Sequence, residues 1–296
     1  MLGRIIHRLK SIFWRKINEK RFLKEMAAGL PTELHDLMLF SYRKKQKGAD
    51  RKLGNMVERL RASVVDRNDG QKVKTFGSPH SNTDLFDENG EVIPGGYGDH
   101  DIQGVAKTGT SSFGGIQLKR IVDVFGPGDV IELGTNTGLS GCYFLSSKNT
   151  ECLVTIEGSP DLCRIADSNL KEIGSNYELL NCLFDDAISQ MEKTGRRFSY
   201  AFIDGQHEKR ATLHYMERLF PLMKEGGIII FDDVYWSEDM NEAWKEVKAD
   251  SRFDLCLDFG WRGICRLNQS DSQNSEKLFF DLTKYHGVPR IQRPGW

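Results

Sequence analysis

Acidic residues follow five apolar runs in the middle of the sequence, and their spacing is the first sign of a reactive site. Each run is typical of a β-strand. The residues that end the five runs are Glu132, Glu157-Gly158, Asp185-Asp186, Asp204-Gly205 and Asp232-Asp233. In open α/β sheets, ligands bind beyond the carboxyl ends of the strands. The sequence therefore predicts one crevice in which several carboxylates gather.

A glycine-spaced turn follows the first run, in the stretch Val-Ile-Glu-Leu-Gly-Thr-Asn-Thr-Gly at residues 130–138. This stretch predicts a strand, a tight loop and the start of a helix, where glycine lets a ligand approach backbone N–H groups. Its pattern, E-x-G-x-x-x-G, differs from the dinucleotide fingerprint G-x-G-x-x-G, because the second and third glycines would fall on Asn136 and Leu139. The turn alone supports only a generic nucleotide-type site.

Strand and helix patterns alternate through the remainder of this region. The other predicted strands are Cys152–Glu157, Tyr177–Phe184, Tyr200–Asp204 and Gly227–Phe231. The predicted helices are Ser112–Phe125, Asp161–Ile173, Asp186–Lys193, Arg210–Lys224 and Met240–Ala249. Phe253–Phe259 and Arg262–Leu267 are expected to pair as antiparallel strands through Gly260-Trp261. Such alternation predicts a parallel sheet covered by helices on both faces.

The N-terminal region is strongly basic. Residues 1–61 hold 16 Lys/Arg against 6 Asp/Glu, although the whole chain of 296 residues has a formal net charge of −1. Apolar residues recur there at helical spacing: Ile5, Ile6, Leu9, Ile12, Phe13 and Ile17. This basic amphipathic helix could bind an anionic membrane surface or an acidic partner, or it could pack on the main domain or on a second subunit.

Turn-forming residues dominate from Asp66 to about Gly109, which predicts a long connecting loop that could cover a site. We therefore divide the chain into a basic helical region (1–65), a linker or lid (66–110), a main domain (111–268) and a C-terminal tail (269–296) with no assigned role. The six cysteines show no C-x-x-C pair and no zinc-like spacing. Buried reduced thiols in a cytoplasmic protein are expected, and no apolar run approaches the ~20 residues of a membrane span.

The ordered set of strand-end motifs resembles class I S-adenosylmethionine-dependent methyltransferases. Its members are the 130–138 stretch, then Thr-Ile-Glu-Gly at 155–158, Phe-Ile-Asp-Gly-Gln-His at 202–207 and Gly-Gly-Ile-Ile-Ile-Phe-Asp-Asp at 226–233. The resemblance is narrower to the O-methyltransferases that include catechol and macrolide-sugar enzymes, and it covers about Ser112 to Asn268. It implies an α/β fold with a Rossmann-like, doubly wound, mostly parallel seven-stranded sheet, an antiparallel last hairpin and here a helical N-terminal extension.

The resemblance also implies a cofactor site. Glu132, Gly134 and Gly138 would shape the part that receives the methionine moiety of S-adenosylmethionine. Glu157, followed by Gly158, would accept hydrogen bonds from the two ribose hydroxyls. Asp185 would lie near the adenine amino group. Asp186 is the rival for that role, and it could instead cap the next helix.

Metal-dependent relatives hold Mg²⁺ at positions that match Asp204, Asp232 and Asp233, although many of them have Asp-Asn where this chain has Asp232-Asp233. Magnesium favours such oxygen ligands and could orient an acceptor hydroxyl and lower its pKa. Without a cation, three clustered carboxylates would repel one another. The alternative is a metal-independent methyltransferase in which Asp232 and Asp233 cap the next segment.

His207 lies three residues after Asp204, where some sugar-modifying relatives have a general base. The resemblance thus implies Mg²⁺-assisted O-methylation of a small-molecule or sugar hydroxyl, with His207 and Asp204 as catalytic residues. Trp236 could line the acceptor pocket or anchor a lid. Two other classes stay open: a nucleotide-binding oxidoreductase, and a non-catalytic protein that binds a partner through its basic N-terminus. No nucleic-acid signal is present, and a homo-oligomer is compatible with the sequence.

Overall fold

The computed structural model describes residues 2–68, 70–76, 97–269 and 277–286, with the side chains of 2–11, 76, 97 and 98 left out. The N-terminal extension is helical, as predicted. It comprises α1 (Leu2–Gly29), a 3₁₀ turn (Thr32–Leu34), α2 (His35–Arg43) and α3 (Gly48–Arg67). Turn-forming residues of the predicted loop, at Asp69, Asn89-Gly90 and Pro94-Gly95-Gly96, lie outside the described residues, as do the side chains of Ile5, Ile6 and Leu9.

One face of α1 packs into the hydrophobic core. Phe22 is fully buried, stacks on Tyr42 at 4.1 Å between ring centroids and meets Tyr285 edge-on at 5.5 Å. Met26, one turn further on, is also buried. Arg15 Nη1 donates to the carbonyl oxygen of Tyr42 at 3.3 Å. The extension therefore shares its core with the chain's last described segment.

The prediction of one long loop over Asp66–Gly109 is wrong for the described part of that segment. Strands β1 (Lys72–Phe76) and β2 (Tyr97–Asp101) form an antiparallel pair, followed by helix α4 (Ile102–Thr108). Val73 and Ile102 are buried in a small cluster with Leu162 and Ile165. Isolated apolar residues among many turn formers gave no periodic signal, yet they fix this segment against the main domain. Residues 77–96, the centre of the predicted lid, lie outside the described residues.

Within the part of the chain that the structure describes, the central sheet has eight strands rather than the predicted seven. In chain order they are β3 (Gly128–Leu133), β4 (Thr150–Ile156), β5 (Tyr177–Leu180), β6 (Phe198–Ile203), β7 (Met223–Phe231), β8 (Phe253–Asp258), β9 (Gly263–Leu267) and β10 (Leu278–Asp281). Their spatial order is β10-β8-β9-β7-β6-β3-β4-β5. The extra strand, β10, comes from the tail and pairs in parallel with β8. The antiparallel pairing of β8 with β9 is confirmed.

Helices cover both faces of the sheet. They are α5 (Ser112–Phe125), α6 (Leu139–Leu145), α7 (Pro160–Lys171), α8 (Phe184–Thr194), α9 (Lys209–Leu219) and α10 (Glu238–Ala249). The bounds of α5 match the prediction, because Ser111 caps its first turn through the N–H of Gly114 and Gly126 ends it. The predicted strand Tyr177–Phe184 is shorter than expected, since α8 already begins at Phe184.

Alternate residues of each strand supply two hydrophobic cores. On β7, Ile228 and Ile230 face the core that contains α5, α6 and the N-terminal helices, whereas Ile229 and Phe231 face the core that contains α8, α9 and α10. Both pairs are almost fully buried. The α/β, Rossmann-like, doubly wound fold predicted from the sequence is confirmed. Among the residues described, no helix is both long and apolar enough to cross a bilayer.

Candidate active site

The strand order places four of the predicted site segments side by side. Strands β7, β6, β3 and β4 are neighbours and run parallel, so Asp232, Asp204, Gly134 and Glu157 follow one another along the carboxyl edge of the sheet. Backbone hydrogen bonds continue past the strand ends. The N–H of Asp204 donates to Leu133 O at 3.0 Å, and that of Asp232 donates to Ile203 O at 3.1 Å. The predicted crevice edge therefore exists as one continuous row.

Gly134 brings the glycine turn into contact with the β6 end. Its φ is +105°, a left-handed value that favours glycine, and a Cβ at this position would overlap the carbonyl oxygen of Asp204. Gly138 is also left-handed, with φ +80°, and a Cβ there would lie 3.1 Å from the backbone of Ala166 in α7. Both glycines are needed for the close backbone packing that shapes the turn.

Glu157 fastens the turn to the β4 end. One of its carboxylate oxygens accepts the backbone N–H of Asn136 at 2.9 Å, and the other accepts that of Ser159 at 3.0 Å. Asn136 itself has a left-handed φ of +52°. Burial raises the pKa of Glu157, and the hydrogen bonds from backbone N–H groups act in the opposite direction. Next to it, the carbonyl oxygen of Gly158 accepts a hydrogen bond from Asn181.

Glu132 is a fully buried carboxyl group with one unused oxygen. The Thr155 hydroxyl donates to its Oε2 at 2.6 Å, whereas Oε1 has no hydrogen-bond partner among the described residues. Burial raises its pKa to about 7; the hydroxyls of Ser140 and Thr155 act in the opposite direction, and the charge of Glu157 adds to the rise. A buried acceptor without a donor is costly unless a ligand supplies one.

Asp185 is directed toward α9. It lies in the first turn of α8, where Oδ1 accepts from Arg218 Nη1 at 2.5 Å and lies 3.0 Å from His214 Nε2. Oδ2 has no hydrogen-bond partner in the described part of the chain. The contact of Asp185 with the adenine amino group stays a prediction. The alternative that Asp186 caps α8 is wrong, because Leu183 occupies the cap position and Asp186 is exposed in the first turn.

His207 lies between two carboxylates. Its Nε2 is 3.9 Å from Asp204 Oδ1 and 3.9 Å from Asp233 Oδ2, and its side chain is 15% exposed. Asp233 has a left-handed φ of +52°, which turns the chain directly after β7. The Trp236 ring lies 6.0 Å from the His207 ring, centroid to centroid. The structure thus brings His207, Asp204 and Asp233 together at the ends of β6 and β7.

Asp232 is paired with an arginine that sequence reasoning missed. Arg262 is 1% exposed; its Nε lies 3.1 Å from Asp232 Oδ1 and its Nη2 lies 2.7 Å from Oδ2. The same guanidinium donates to Gly114 O at 2.8 Å and contacts Gln117 Oε1 at 3.4 Å. Gln117 in turn donates to the Ser41 hydroxyl at 2.8 Å. A buried polar chain therefore runs from α2 to the site.

The pairing of Asp232 with Arg262 affects the predicted Mg²⁺ site, whose expected ligands were Asp204, Asp232 and Asp233. Both oxygens of Asp232 accept hydrogen bonds from Arg262, and nowhere in 2–68, 70–76, 97–269 or 277–286 are three His, Cys, Asp or Glu side chains placed to hold one ion. The three carboxylates are thus neighbours that do not converge on a common point. Ser237 caps α10, so Asp232 and Asp233 do not cap that helix; the alternative that they cap the segment directly after β7 stays a prediction.

Negative charge still accumulates around Asp204. Burial and the nearby carboxylates of Asp232 and Asp233 raise its pKa well above the ordinary value, and Arg262 acts in the opposite direction. Arg262 is therefore the principal fixed cation of the cluster that the structure describes. In the sequence it was only one arginine after Gly260-Trp261, within a hairpin, and no spacing rule linked it to Asp232.

A family model for a methyltransferase domain matches residues 131–234. The matched range begins in β3, ends just after Asp233 and contains the carboxyl ends of β3, β4, β6 and β7, whereas Arg262 and Trp236 lie outside it. This part of the chain is similar to a methyltransferase domain. The match confirms the resemblance to class I methyltransferases that the strand-end motifs indicated.

Among curated proteins, the domain is similar to one from Arabidopsis thaliana named "putative caffeoyl-CoA O-methyltransferase". The two are 27% identical over 123 residues, which cover 40% of this chain and 52% of the relative. The chain thus matches about half the length of that curated relative.

Two solved structures are similar to this chain at lower identity. An O-methyltransferase from Bacillus cereus in complex with SAH is 22% identical, covers 56% of this chain and 85% of its own, and has a TM-score of 0.48. The O-methyltransferase TomG from Streptomyces achromogenes, in complex with SAM, is 16% identical, covers 54% and 82%, and has a TM-score of 0.47.

Proposed function

We propose that this protein is an S-adenosylmethionine-dependent O-methyltransferase that acts on a small-molecule or sugar hydroxyl. The observation that carries the proposal is the position of His207, with Nε2 3.9 Å from both Asp204 Oδ1 and Asp233 Oδ2 beside the glycine turn. The methyltransferase family model over 131–234 and the named O-methyltransferase relative support the reaction class.

The residues present fit the cofactor. Gly134 and Gly138 have no side chain that would cover the backbone where the turn passes the end of β6. The unused Oε1 of Glu132 suits the cationic ammonium group of the methionine moiety. Glu157 already holds the turn through Asn136, and its remaining lone pairs suit a vicinal diol. Bound there, the cofactor supplies an electrophilic methyl group on a sulfonium.

His207 is proposed to take the proton from the acceptor hydroxyl. Proton uptake places a positive charge between Asp204 and Asp233, which offsets the burial and the carboxylate repulsion that together raise the pKa of Asp204. Trp236, 6.0 Å from the His207 ring, is proposed to line the acceptor side of the site. A general base of this kind contributes roughly 10²- to 10⁴-fold in rate.

Two versions of this reaction differ in their use of a metal. The pairing of Asp232 with Arg262 favours a metal-independent enzyme, in which the guanidinium provides the positive charge of the cluster. One observation favours the Mg²⁺-assisted version expected from the sequence: Asp204 is buried close to the carboxylates of Asp232 and Asp233, which disfavours its ionised form unless a cation stabilises it. We propose the metal-independent version, with Mg²⁺ held by Asp204 and Asp233 as the alternative.

Calorimetry tests cofactor identity first. S-adenosylhomocysteine should bind and NAD should not; the opposite result would establish the oxidoreductase alternative, and no binding of either would favour a non-catalytic protein. Turnover is then followed as S-adenosylhomocysteine release with a panel of phenolic and sugar acceptors. His207→Gln should lower kcat by about 100-fold or more. His35→Gln is the matched control, because His35 lies far along the chain in α2 and bonds to Leu30 O.

The metal is tested in the same assay. Equal turnover with EDTA and with added Mg²⁺ would support the metal-independent version. Loss of turnover in EDTA that Mg²⁺ restores would establish the alternative and leave the methyltransferase proposal intact.

A further inference from the structure

The outer face of α1 has a composition that the methyltransferase site does not explain. Six large apolar side chains are at least one-third exposed among the residues described, and four of them lie within α1: Ile12 at 37%, Phe13 at 62%, Trp14 at 45% and Ile17 at 56%. Ile12, Phe13 and Trp14 are consecutive and point about 100° apart around the helix axis. At residues 12–14, most sides of α1 are therefore not packed against the rest of the protein.

The opposite face of α1 holds the helix against the rest of the protein, mostly at residues further along the helix. Phe22 and Met26 are buried in the core, and Arg15 donates to the carbonyl oxygen of Tyr42. This anchoring fixes the orientation of the helix, so the exposed face is a stable feature of the surface. A contiguous apolar patch on a stable surface usually marks an interaction site.

Basic residues continue the exposed face toward the body. Phe13, Ile17, Lys20 and Lys24 are spaced by four, three and four residues, which places them along one side of a helix. Lys16 lies beside them. All three lysines are exposed, and none forms an ion pair with any residue that the structure describes, whereas the neighbouring Arg21 is paired with Glu25. The outer face thus has an apolar end followed by unneutralised positive charge.

We infer that the outer face of α1, formed by Phe13, Trp14, Ile17, Lys16, Lys20 and Lys24, binds the surface of an anionic lipid bilayer. Aromatic and aliphatic side chains enter the boundary between headgroups and acyl chains, and lysines beside them bind anionic headgroups. Tryptophan is enriched at that boundary. The unpaired lysines favour an anionic bilayer over a second copy of this chain. A second copy would present the same positively charged face, and the two faces would repel each other. The inference is independent of the proposed enzymatic activity.

Vesicle sedimentation of the full chain tests the inference. The protein should pellet with phosphatidylcholine vesicles that contain phosphatidylserine, pellet much less with phosphatidylcholine alone, and lose binding at high salt. Lys16→Gln/Lys20→Gln/Lys24→Gln should weaken binding by roughly 100-fold, given about 1 kcal/mol for each lysine near an anionic surface. Phe13→Ser/Ile17→Ser should weaken it by at least ~10-fold.

Matched controls separate this face from general charge and from misfolding. Lys148→Gln/Lys193→Gln/Lys224→Gln removes the same charge at exposed positions elsewhere and should retain binding. Met56→Ser removes an exposed apolar side chain of α3 and should also retain it. Circular dichroism melting of each variant confirms folding.

Three outcomes would overturn the inference. These are wild-type protein that stays in the supernatant with anionic vesicles, control lysine variants that lose as much binding as the α1 variants, and a dimer in sedimentation velocity that Phe13→Ser/Ile17→Ser abolishes without vesicle binding. The last outcome would assign the face to a second copy of the chain.

Discussion

The Arg262 guanidinium lies against both carboxylate oxygens of Asp232, at 3.1 Å from Nε and 2.7 Å from Nη2. The pair joins the start of β9 to the end of β7, and Gln117 extends it to Ser41 in α2. A single side chain thus sets the charge of the site and links it to the N-terminal helices.

Removal of Arg262 should destabilise the protein strongly. Arg262→Leu leaves the carboxylate of Asp232, whose side chain is only 11% exposed, without its partner. The free energy of unfolding, measured by urea denaturation, should fall by roughly 3–5 kcal/mol. Lys245→Leu, which removes the exposed ion pair of Lys245 with Glu242, should leave the free energy of unfolding almost unchanged, because solvent screens such pairs. Similar losses in the two variants would show that the buried pair has no special role.

Alanine substitutions at Gly126 and Gly134, whose φ values are nearly equal, allow the cost of backbone strain to be separated from the cost of steric overlap. Gly126 has φ +101° and open space where an added methyl group would lie, so Gly126→Ala should cost only the backbone strain, about 1–3 kcal/mol of stability. Gly134 has φ +105° and would place a Cβ on the Asp204 carbonyl oxygen. Gly134→Ala should therefore cost clearly more and should also weaken S-adenosylhomocysteine binding. Equal costs in urea denaturation would argue against close packing of the turn on β6.

Glu132 should make stability depend on pH. Its pKa is raised from 4.5 to about 7 in the folded protein, so the protonated form is favoured on folding. The resulting stability is fully present below about pH 4.5 and is lost as the pH rises toward about 7, by up to ~3 kcal/mol. Glu132→Gln should remove this decline. Melting temperatures of wild type and variant would be compared from pH 5 to 8, and parallel curves would contradict the assignment.

Glu157 should support both the turn and the cofactor. Glu157→Gln replaces one oxygen with an NH₂ group that cannot accept from a backbone N–H, so it loses a charge-assisted bond to Asn136 or Ser159. Affinity for S-adenosylhomocysteine, measured by calorimetry, should fall by at least ~10-fold. Glu151→Gln, at an exposed position of the same strand, is the control. Unchanged affinity in Glu157→Gln would rule out a direct cofactor contact.

The sequence predicted well those features that depend on local periodicity. The bounds of α5 and the antiparallel pairing of β8 with β9 follow from apolar spacing and turn residues, and both are observed. The row of strand ends also follows from the sequence pattern, because neighbouring parallel strands have their carboxyl ends at the same edge of a sheet. For Gly134, the spacing indicated the need for glycine, and the structure adds the reason, namely the carbonyl oxygen of Asp204.

Features that depend on distant contacts could not be read from the sequence. Arg262 meets Asp232 from 30 residues away, across a hairpin that carries no signature of the site. β10 has only four residues and is a strand because β8 offers a free edge. The convergence of three aspartates on one ion was implied by the resemblance to metal-dependent methyltransferases, whereas side-chain direction depends on what each carboxylate can bind in three dimensions.

The contacts of α1 have a consequence for how the protein is made. Phe22 packs against Tyr285, and Glu25 accepts a hydrogen bond from the Tyr285 hydroxyl across 260 positions of sequence. During synthesis the core face of α1 emerges early, but this covering residue emerges only when nearly all of the described chain has been made. Until then the part of the core face of α1 that Tyr285 covers stays exposed along with the apolar outer face, and such transiently exposed apolar surface makes a growing chain prone to aggregation.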